Sequence, residues 1–193
     1  MYDADNGKAK VRTMLSAIAL FSSSRRRGNT GQLMDRIALE LNIEVVDLAN
    51  QRMSSYDYEH LNRDDDFEPL MKRVLEHEQI IFATPIYWYA VSPAMKVFID
   101  RISDLLELPD LKSEGRRLRG KTAYVVCTSI SDEPSAAFME AFRETFDYLG
   151  MRFGGVAHVN CHDGYLPASH DPEALKLAAL VREAIQVPVK PRS

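Results

Sequence analysis

Cysteine is scarce in this chain of 193 residues, with only Cys127 and Cys161 present and no C-x-x-C pair. The spacing therefore predicts neither a disulfide framework nor a cysteine zinc site. No apolar stretch approaches the ~18 residues of a membrane span, and residues 1–13 carry charges where a secretory signal would need an apolar segment. These absences lead us to expect a cytoplasmic protein with no membrane partner.

An excess of charge is missing as well, since 24 Lys and Arg residues stand against 28 Asp and Glu residues. The formal net charge of -4 gives no general attraction to nucleic acid, so we expect no nucleic-acid partner. The length and the 46% hydrophobic content suit one domain with a sizeable core. We predict a single domain over residues 14–187, with flexible tails at 1–13 and 188–193.

Short apolar or β-branched runs alternate with helical periodicity, which indicates βα units and a parallel sheet. The predicted strands are residues 14–21, 43–48, 79–84, 121–128 and 153–160. The predicted helices are residues 29–41, 66–77, 92–106, 134–149 and 171–186. Five such strands favour an α/β fold with a doubly wound parallel sheet in the order 2-1-3-4-5 and helices on both faces.

Helix boundaries are marked by residues that favour helix ends. The run Asp64–Asp66 precedes the second predicted helix, Ser92 the third and Asp171 the last, each with proline or acid nearby. Gly150 stands where a left-handed C-cap belongs. We interpret the aspartate run as capping and solvation rather than as a metal site, because charge runs usually face water.

Residues 22–30, SSSRRRGNT, join the first predicted strand to the first predicted helix. A helix N-terminus presents unpaired N–H groups and partial positive charge, and the hydroxyls and three arginines add further donors. Gly28 would allow the backbone to approach an oxyanion closely. These groups suit a phosphate monoester, although a capped helix followed by a solvated basic run has the same local sequence.

Three consecutive aromatic residues, beginning at Tyr87, follow the third predicted strand. Exposed rings are unfavourable in such a loop unless they pack on a neighbouring helix, a partner subunit or a planar ligand. The loops at 22–30, 85–91 and 128–133 would open into one crevice at the carboxyl ends of the strands. A phosphate held at one strand end and a flat ring held next to it describe a mononucleotide.

The chain resembles the NAD(P)H-dependent FMN reductase family of the flavodoxin-like superfamily in two motifs, S-x-R-x-x-G-N-T at 23–30 and TPIYW at 84–88, the latter followed by SPAMKVFIDR at 92–101. The resemblance implies an FMN site with the phosphate in the first loop and the isoalloxazine ring against the second. The residues that it assigns to FMN are Ser23, Arg25, Gly28, Asn29 and Thr30 in the first loop, Pro85, Ile86, Tyr87 and Trp88 in the second, and Thr128 and Ser129 in the third.

The activity that the resemblance implies is that of an FMN-dependent NAD(P)H oxidoreductase. Electrons would pass from NADPH or NADH through bound FMN to a small acceptor, such as a flavin, a quinone, an azo or nitro compound or a metal ion, with ping-pong kinetics. No side chain need act as a catalytic acid or base. The resemblance also implies a homodimer or a tetramer, with residues 95–106 near the interface. The alternative is a flavodoxin-like electron carrier or flavin-binding regulatory module with a protein partner and little NAD(P)H turnover.

Several reactive residues receive no role in this interpretation. The histidines and the cysteine between His158 and His170 have no standard metal-ligand spacing, so we predict no metal site. Residues 49–62 contain no cysteine, which excludes the iron–sulfur variant of the family. Cys127 is expected to be a small core residue. Arg26 and Arg27 could contact phosphate, attract the 2′-phosphate of NADPH or face water, and we expect the last of these.

Overall fold

A five-stranded parallel sheet forms the centre of the protein, whose computed structural model describes residues 17–186. The strands are β1 (Ala17–Phe21), β2 (Glu44–Asp47), β3 (Gln79–Pro85), β4 (Thr122–Ser129) and β5 (Arg152–Asn160). The helices are α1 (Asn29–Leu41), α2 (Phe67–Leu75), α3 (Pro93–Glu107), α4 (Lys112–Arg116), α5 (Ala136–Tyr148) and α6 (Pro167–Gln186). The strands lie in the order β2-β1-β3-β4-β5. The predicted α/β class and the doubly wound, flavodoxin-like order 2-1-3-4-5 are therefore confirmed.

Two apolar cores lie on opposite faces of the sheet, because successive residues of a strand point to opposite sides. On one face, Phe82 packs among the rings of Phe98, Phe142 and Phe146, at centroid distances of 6.5, 6.0 and 5.2 Å. On the other face, Ile81 belongs to a core that α1 and α6 cover. Both faces of the strands are thus buried, which explains why the strand sequences lack strict alternation.

Most predicted elements are present close to their expected bounds. The periodicity did not predict the short helix α4 or the single 3-10 turn at Leu48–Asn50. Gly150 has a φ of 70° after α5, which confirms the predicted left-handed helix end. The predicted tails, and the first residues of the first predicted strand, fall within 1–16 and 187–193, outside the described residues. Within the described range, no helix is both long and apolar enough to cross a membrane.

Helix α6 begins earlier than predicted, at Pro167 rather than at Asp171. Proline suits a first helical turn, because its fixed φ matches the helix and its missing N–H would have no partner there. The carboxylate of Asp171 instead accepts hydrogen bonds from the Tyr165 hydroxyl (2.8 Å) and from Nε of Arg36 (3.1 Å), and Pro172 lies inside the helix. A tertiary contact with α1 therefore overrides the local start signal.

Arg101 of α3 is fully buried and forms an ion cluster. Its guanidinium donates to Asp65 (2.5 Å), to Asp104 (2.6 Å) and to the carbonyl oxygen of Ser54 (3.1 Å). Burial opposes ionisation of Asp65, but hydrogen bonds from Arg101 and from two backbone N–H groups hold the pKa of this carboxyl below its ordinary value. Asp65 does accept a bond from a first-turn N–H of α2, yet it is 8% exposed, so the expectation of a solvated run is wrong at this residue.

Replacing Asp65 with alanine removes one of the two carboxylates that pair with the buried Arg101 guanidinium. Because a buried charge is costly without its partner, we expect the free energy of unfolding to fall by about 3–5 kcal/mol. Urea denaturation followed by circular dichroism measures the loss. The control is Glu114→Ala, which removes the partner of Arg117 from a partly exposed pair and should cost less than about 1 kcal/mol. Equal losses in the two variants would contradict a structural role for the buried cluster.

Candidate functional site

A cleft of about 660 Å³ opens at the carboxyl edge of the sheet, between the loops that follow β1, β3 and β4. Every residue that the family resemblance assigned to FMN lies in its lining: Ser23, Arg25, Gly28, Asn29, Thr30, Pro85, Ile86, Tyr87, Trp88, Thr128 and Ser129. The lining also contains residues of the predicted loops that were not assigned to FMN, Tyr89, Ile130, Ser131 and Glu133, and two residues outside those loops, Ser135 and Cys161. The structure thus brings the three predicted loops together around one space.

The N-terminus of α1 lies at this cleft, since Gly28, Asn29 and Thr30 are part of the lining, and its first N–H groups have no partner within the helix. The N-cap residue is Gly28, which has an extended backbone and offers no side chain to accept those groups. The first turn contains no acidic residue, so the positive end of the helix dipole is not neutralised within the helix. An uncapped helix N-terminus at a cleft is a ready site for a phosphate or another anion.

Gly31, rather than Gly28, is the glycine on which the turn depends. A Cβ at Gly31 would lie 1.9 Å from the carbonyl oxygen of Arg26, so no other residue fits there without a shift of the backbone. A Cβ at Gly28 would lie 3.1 Å from the carbonyl oxygen of Arg25, and φ at Gly28 is an ordinary -76°. The motif pointed to Gly28 because the close approach at Gly31 involves backbone atoms that only the folded turn brings together.

The three arginines of the first loop have different surroundings. Arg25 lines the cleft, whereas Arg27 is exposed, as expected. Arg26 donates to both carboxylate oxygens of Asp35, at 2.6 and 3.1 Å, and its guanidinium carbon lies 4.9 Å from the centroid of the Phe21 ring. The hydrogen bond with Asp35 raises the pKa of Arg26. Arg26 is exposed, as expected, and its guanidinium is in addition paired with Asp35.

Buried hydroxyl groups connect the loops beneath the cleft. Oγ of Ser92 lies 2.8 Å from Oγ of Ser22. The backbone N–H of Ser92 donates to Oγ1 of Thr84 at 2.9 Å. The hydroxyl oxygens of Thr30 and Thr128 are 2.7 Å apart and join the first loop to the third. Ser22 is buried in this network and is absent from the cleft lining, so its hydroxyl supports the floor instead of facing a ligand.

The aromatic loop forms a tight turn with left-handed backbone. Tyr87 and Ala90 exchange two backbone hydrogen bonds of 2.9 and 3.0 Å, and φ is 48° at Trp88 and 64° at Tyr89. Turns of this type favour Asn-Gly, because glycine has no Cβ and asparagine tolerates positive φ, whereas bulky residues are strained there. Trp88 is 94% exposed, so packing within the described chain does not offset this strain. Strained bulky residues at the rim of a cleft indicate a functional constraint.

Tyr87 ties the aromatic loop to the first loop. Its hydroxyl oxygen accepts a hydrogen bond from the Ser24 N–H at 3.4 Å. Burial acts to raise the pKa of Tyr87, but hydrogen bonds with Ser24 and Ser23 and the charge of Arg25 outweigh burial and lower it. One aromatic side chain therefore positions the two loops that the resemblance assigns to the phosphate and to the ring.

Both cysteines are free and buried. Burial raises the pKa of the Cys127 thiol to about 12, and the expectation of a core residue is confirmed. Cys161 lines the cleft, and burial raises its pKa as well. Between residues 17 and 186, no group of three or more His, Cys, Asp or Glu side chains is placed to hold a metal ion.

Comparison with known proteins connects this cleft to a family. Residues 15–165 match the family model described as NADPH-dependent FMN reductase. YwqN of Bacillus subtilis (strain 168), whose name describes an NAD(P)H-dependent FMN-containing oxidoreductase, is 35% identical over 94 residues, which are 47% of this chain and 51% of the relative. An iron-sulfur flavoprotein of Archaeoglobus fulgidus is 26% identical over 112 residues, which are 52% of this chain and 51% of the relative. The chain thus spans about half the length of these two curated relatives.

The solved structures include a similar chain, the Trp repressor binding protein from Bacillus subtilis. The superposition covers 89% of this chain and 99% of that protein, with 26% sequence identity and a TM-score of 0.63. The similarity therefore covers most of this chain and nearly all of that protein.

Replacing Trp88 with glycine should raise the free energy of unfolding by up to about 1 kcal/mol, because glycine adopts the left-handed region without steric cost and loss of an exposed ring leaves no cavity. Urea denaturation of the purified variant measures the change. Trp88→Ala is the matched control, since it removes the ring but keeps a Cβ at positive φ. A glycine variant that is no more stable than the alanine variant would refute strain at this turn.

Proposed function

The chain belongs to the NADPH-dependent FMN reductase family, an oxidoreductase family whose cofactors are FMN and NAD(P)H, and we propose that it binds FMN in this cleft and passes electrons from NADPH or NADH to a small acceptor. The observation that carries the proposal is the meeting of three features in one cleft. They are an uncapped helix N-terminus, the guanidinium of Arg25 and an exposed aromatic turn.

The donors in the cleft fit the two chemically different ends of FMN. The phosphate would accept hydrogen bonds from the N–H groups at the start of α1 and from Arg25, as phosphates do at helix N-termini. The volume of about 660 Å³ lies within the usual range of small-molecule sites. We assign Ser23, Arg25, Gly28, Asn29 and Thr30 to the phosphate end, Pro85, Ile86, Tyr87 and Trp88 to the ring, and Thr128 and Ser129 to the third loop.

Bound FMN would supply the hydride and electron-transfer chemistry, and the residues of this chain bind and orient it. Tyr87 holds the aromatic turn against the first loop, so the two ends of the site keep a constant separation. Trp88 and Tyr89 form an open outer wall. The nicotinamide and the acceptor would use this wall in turn, and the first product must leave before the acceptor enters. That order is ping-pong kinetics.

The rim of the cleft favours a flat aromatic acceptor, such as a quinone or an azo or nitro compound, over a metal ion. Trp88, Tyr89 and Ile130 are 94%, 69% and 73% exposed there. Such apolar and aromatic side chains offer stacking surface to a planar ring. The charged side chains in the lining, Arg25 and Glu133, have opposite signs, and the N-terminus of α1 adds partial positive charge, so the cleft has no excess of negative charge that would attract a metal cation.

A homodimer or a tetramer in the cytoplasm forms part of the same proposal. Helices α3 and α5 present a partly apolar groove of about 380 Å³, lined by Ile99, Ile102, Leu106 and Leu149 together with the polar residues Ser103, Glu144 and Thr145. Tyr148 in the same lining is 81% exposed. Apolar surface of this kind suits a subunit contact, and the resemblance implies an interface near α3.

Anaerobic stopped-flow reduction tests the proposed activity. Protein loaded with FMN is mixed with NADPH or NADH, and we expect at least one nucleotide to bleach the flavin absorbance and a quinone to restore it. Steady-state rates measured against nucleotide concentration, at several fixed quinone concentrations, should give parallel double-reciprocal plots, as ping-pong kinetics requires. Trp88→Ala should raise the KM for nucleotide or quinone while FMN binding persists. Negligible bleaching by both nucleotides would favour a flavodoxin-like carrier or a flavin-binding regulatory module instead.

Replacing Arg25 with alanine should weaken FMN binding by about 10- to 100-fold, because a hydrogen bond to a charged partner contributes about 1.5–3 kcal/mol. Quenching of FMN fluorescence by the apoprotein measures the affinity. Arg27→Ala is the matched control, since the same charge is removed two positions away from an exposed side chain outside the lining. Equal FMN affinity in wild type and Arg25→Ala would remove Arg25 from the site.

A further inference from the structure

His158, which received no role from the sequence, contacts the wall of the cleft through Ser129. Oγ of Ser129 lies 2.8 Å from Nε2 of His158, and Ser129 is part of the cleft lining. The two residues lie on adjacent parallel strands, with Cys127 of β4 opposite His158 and Ser129 opposite Asn160 of β5. The sheet therefore sets the distance between the imidazole and the hydroxyl.

When the neutral His158 ring carries its own proton on Nδ1, the contacts around Ser129 direct the Ser129 proton to Nε2. The Ser131 N–H donates to Oγ of Ser129 at 3.1 Å. The hydroxyl of Ser129 has one hydrogen, and Nε2 of His158 at 2.8 Å is a nearer acceptor than the Ser131 carbonyl oxygen at 3.3 Å. Burial lowers the pKa of His158, which favours the neutral ring that can accept this hydrogen. In this state the Ser129 hydroxyl donates away from the cleft.

We propose that Ser129 and His158 form a proton-linked switch that gives the cleft a hydrogen-bond donor when its ligand gains negative charge. When His158 takes up a proton from solvent, Nε2 becomes a donor and its N–H points at Oγ of Ser129. The Ser129 hydrogen must then turn to another acceptor, and a negatively charged ligand in the cleft provides one. His158 acts through Ser129 and is thus a positioning residue.

The charges that surround His158 permit this titration. The carboxylates of Asp132 and Glu133, in the loop before α5, and a hydrogen bond with the Asp132 backbone favour protonation and oppose the effect of burial. The first turn of α5, which covers this face of the sheet, contains no acidic residue. On the neighbouring strand, burial raises the pKa of the Cys127 thiol, which stays neutral.

The switch rests on the proposed function, because FMN in the cleft gains negative charge when a nicotinamide nucleotide reduces it. Added negative charge raises the proton affinity of His158, and by linkage a protonated His158 favours the reduced state. Proton uptake on reduction should therefore be largest at a pH between the lower His158 pKa of the oxidised protein and the higher one of the reduced protein.

Nuclear magnetic resonance of protein with labelled histidine rings tests the switch directly. His158 is titrated in the apoprotein, in the FMN-loaded protein and in the same sample reduced anaerobically with dithionite. We expect its pKa to rise by about one unit on reduction, a tenfold gain in proton affinity. Ser129→Ala should reduce the rise of the His158 pKa on reduction, because the ring no longer acts on the cleft through a hydroxyl. Ser129→Thr keeps the hydroxyl and should restore that rise.

The pH dependence of the flavin midpoint potential provides a second readout. Wild type should show a steeper dependence than His158→Gln, because His158→Gln removes one proton from the coupled reduction. His162→Gln, the same change at an exposed histidine, is the matched control and should behave as wild type. Failure to bind FMN, seen as unchanged flavin absorbance, would overturn the proposed function and the switch together. FMN binding with an identical His158 pKa in oxidised and reduced protein would overturn the switch alone.

Discussion

The packing of the Arg26 carbonyl oxygen against Gly31 is the contact on which the cleft depends. A Cβ at position 31 would lie 1.9 Å from that oxygen, so the turn between β1 and α1 can take this path only with glycine. The path makes Gly28 the N-cap, and the first N–H groups of α1 have no capping side chain. A side chain that caps the helix would add only roughly a few tenths of a kcal/mol relative to the glycine present, but would occupy the N–H groups that an anion needs. The glycine N-cap thus stabilises the helix slightly less than a capping side chain would, but it leaves the first N–H groups of α1 free to bind an anion.

Around this turn, buried polar contacts hold the loops in place. The hydroxyl pair of Thr30 and Thr128 joins the first loop to the third, and Ser92 joins the floor of the first loop to β3. Farther from the cleft, Arg101 fastens the long segment after β2 to α3 through Asp65. These contacts are satisfied within the chain, so the loops form a fixed frame and the ligand need not order them.

The aromatic turn is the opposite case, because it is strained and exposed. Trp88 and Tyr89 both have positive φ, and neither ring is buried. The strain persists because two backbone hydrogen bonds between Tyr87 and Ala90 close the turn, and the Tyr87 hydroxyl anchors it to the first loop. A site with one rigid end and one open aromatic wall suits a resident cofactor that meets two different partners in succession.

The sequence alone determined the sheet order and the location of the cleft, because alternating βα units admit few topologies and such topologies bring the carboxyl ends of β1, β3 and β4 together. It determined most of the lining residues for the same reason, since the loops after those three strands were predicted to open into the cleft, whereas Ser135 and Cys161 lie outside those loops. Only the tertiary structure showed that the turn requires glycine at position 31 and that Arg26 forms an ion pair with Asp35. It also showed that Asp65 is buried and that α6 begins at Pro167. Only the fold pairs Ser129 with His158. Each of these features depends on contacts between residues that are distant in sequence, or on the positions of backbone atoms, which the residue types do not specify. Hydrophobic periodicity and motif spacing contain only local information, so they could not predict these features.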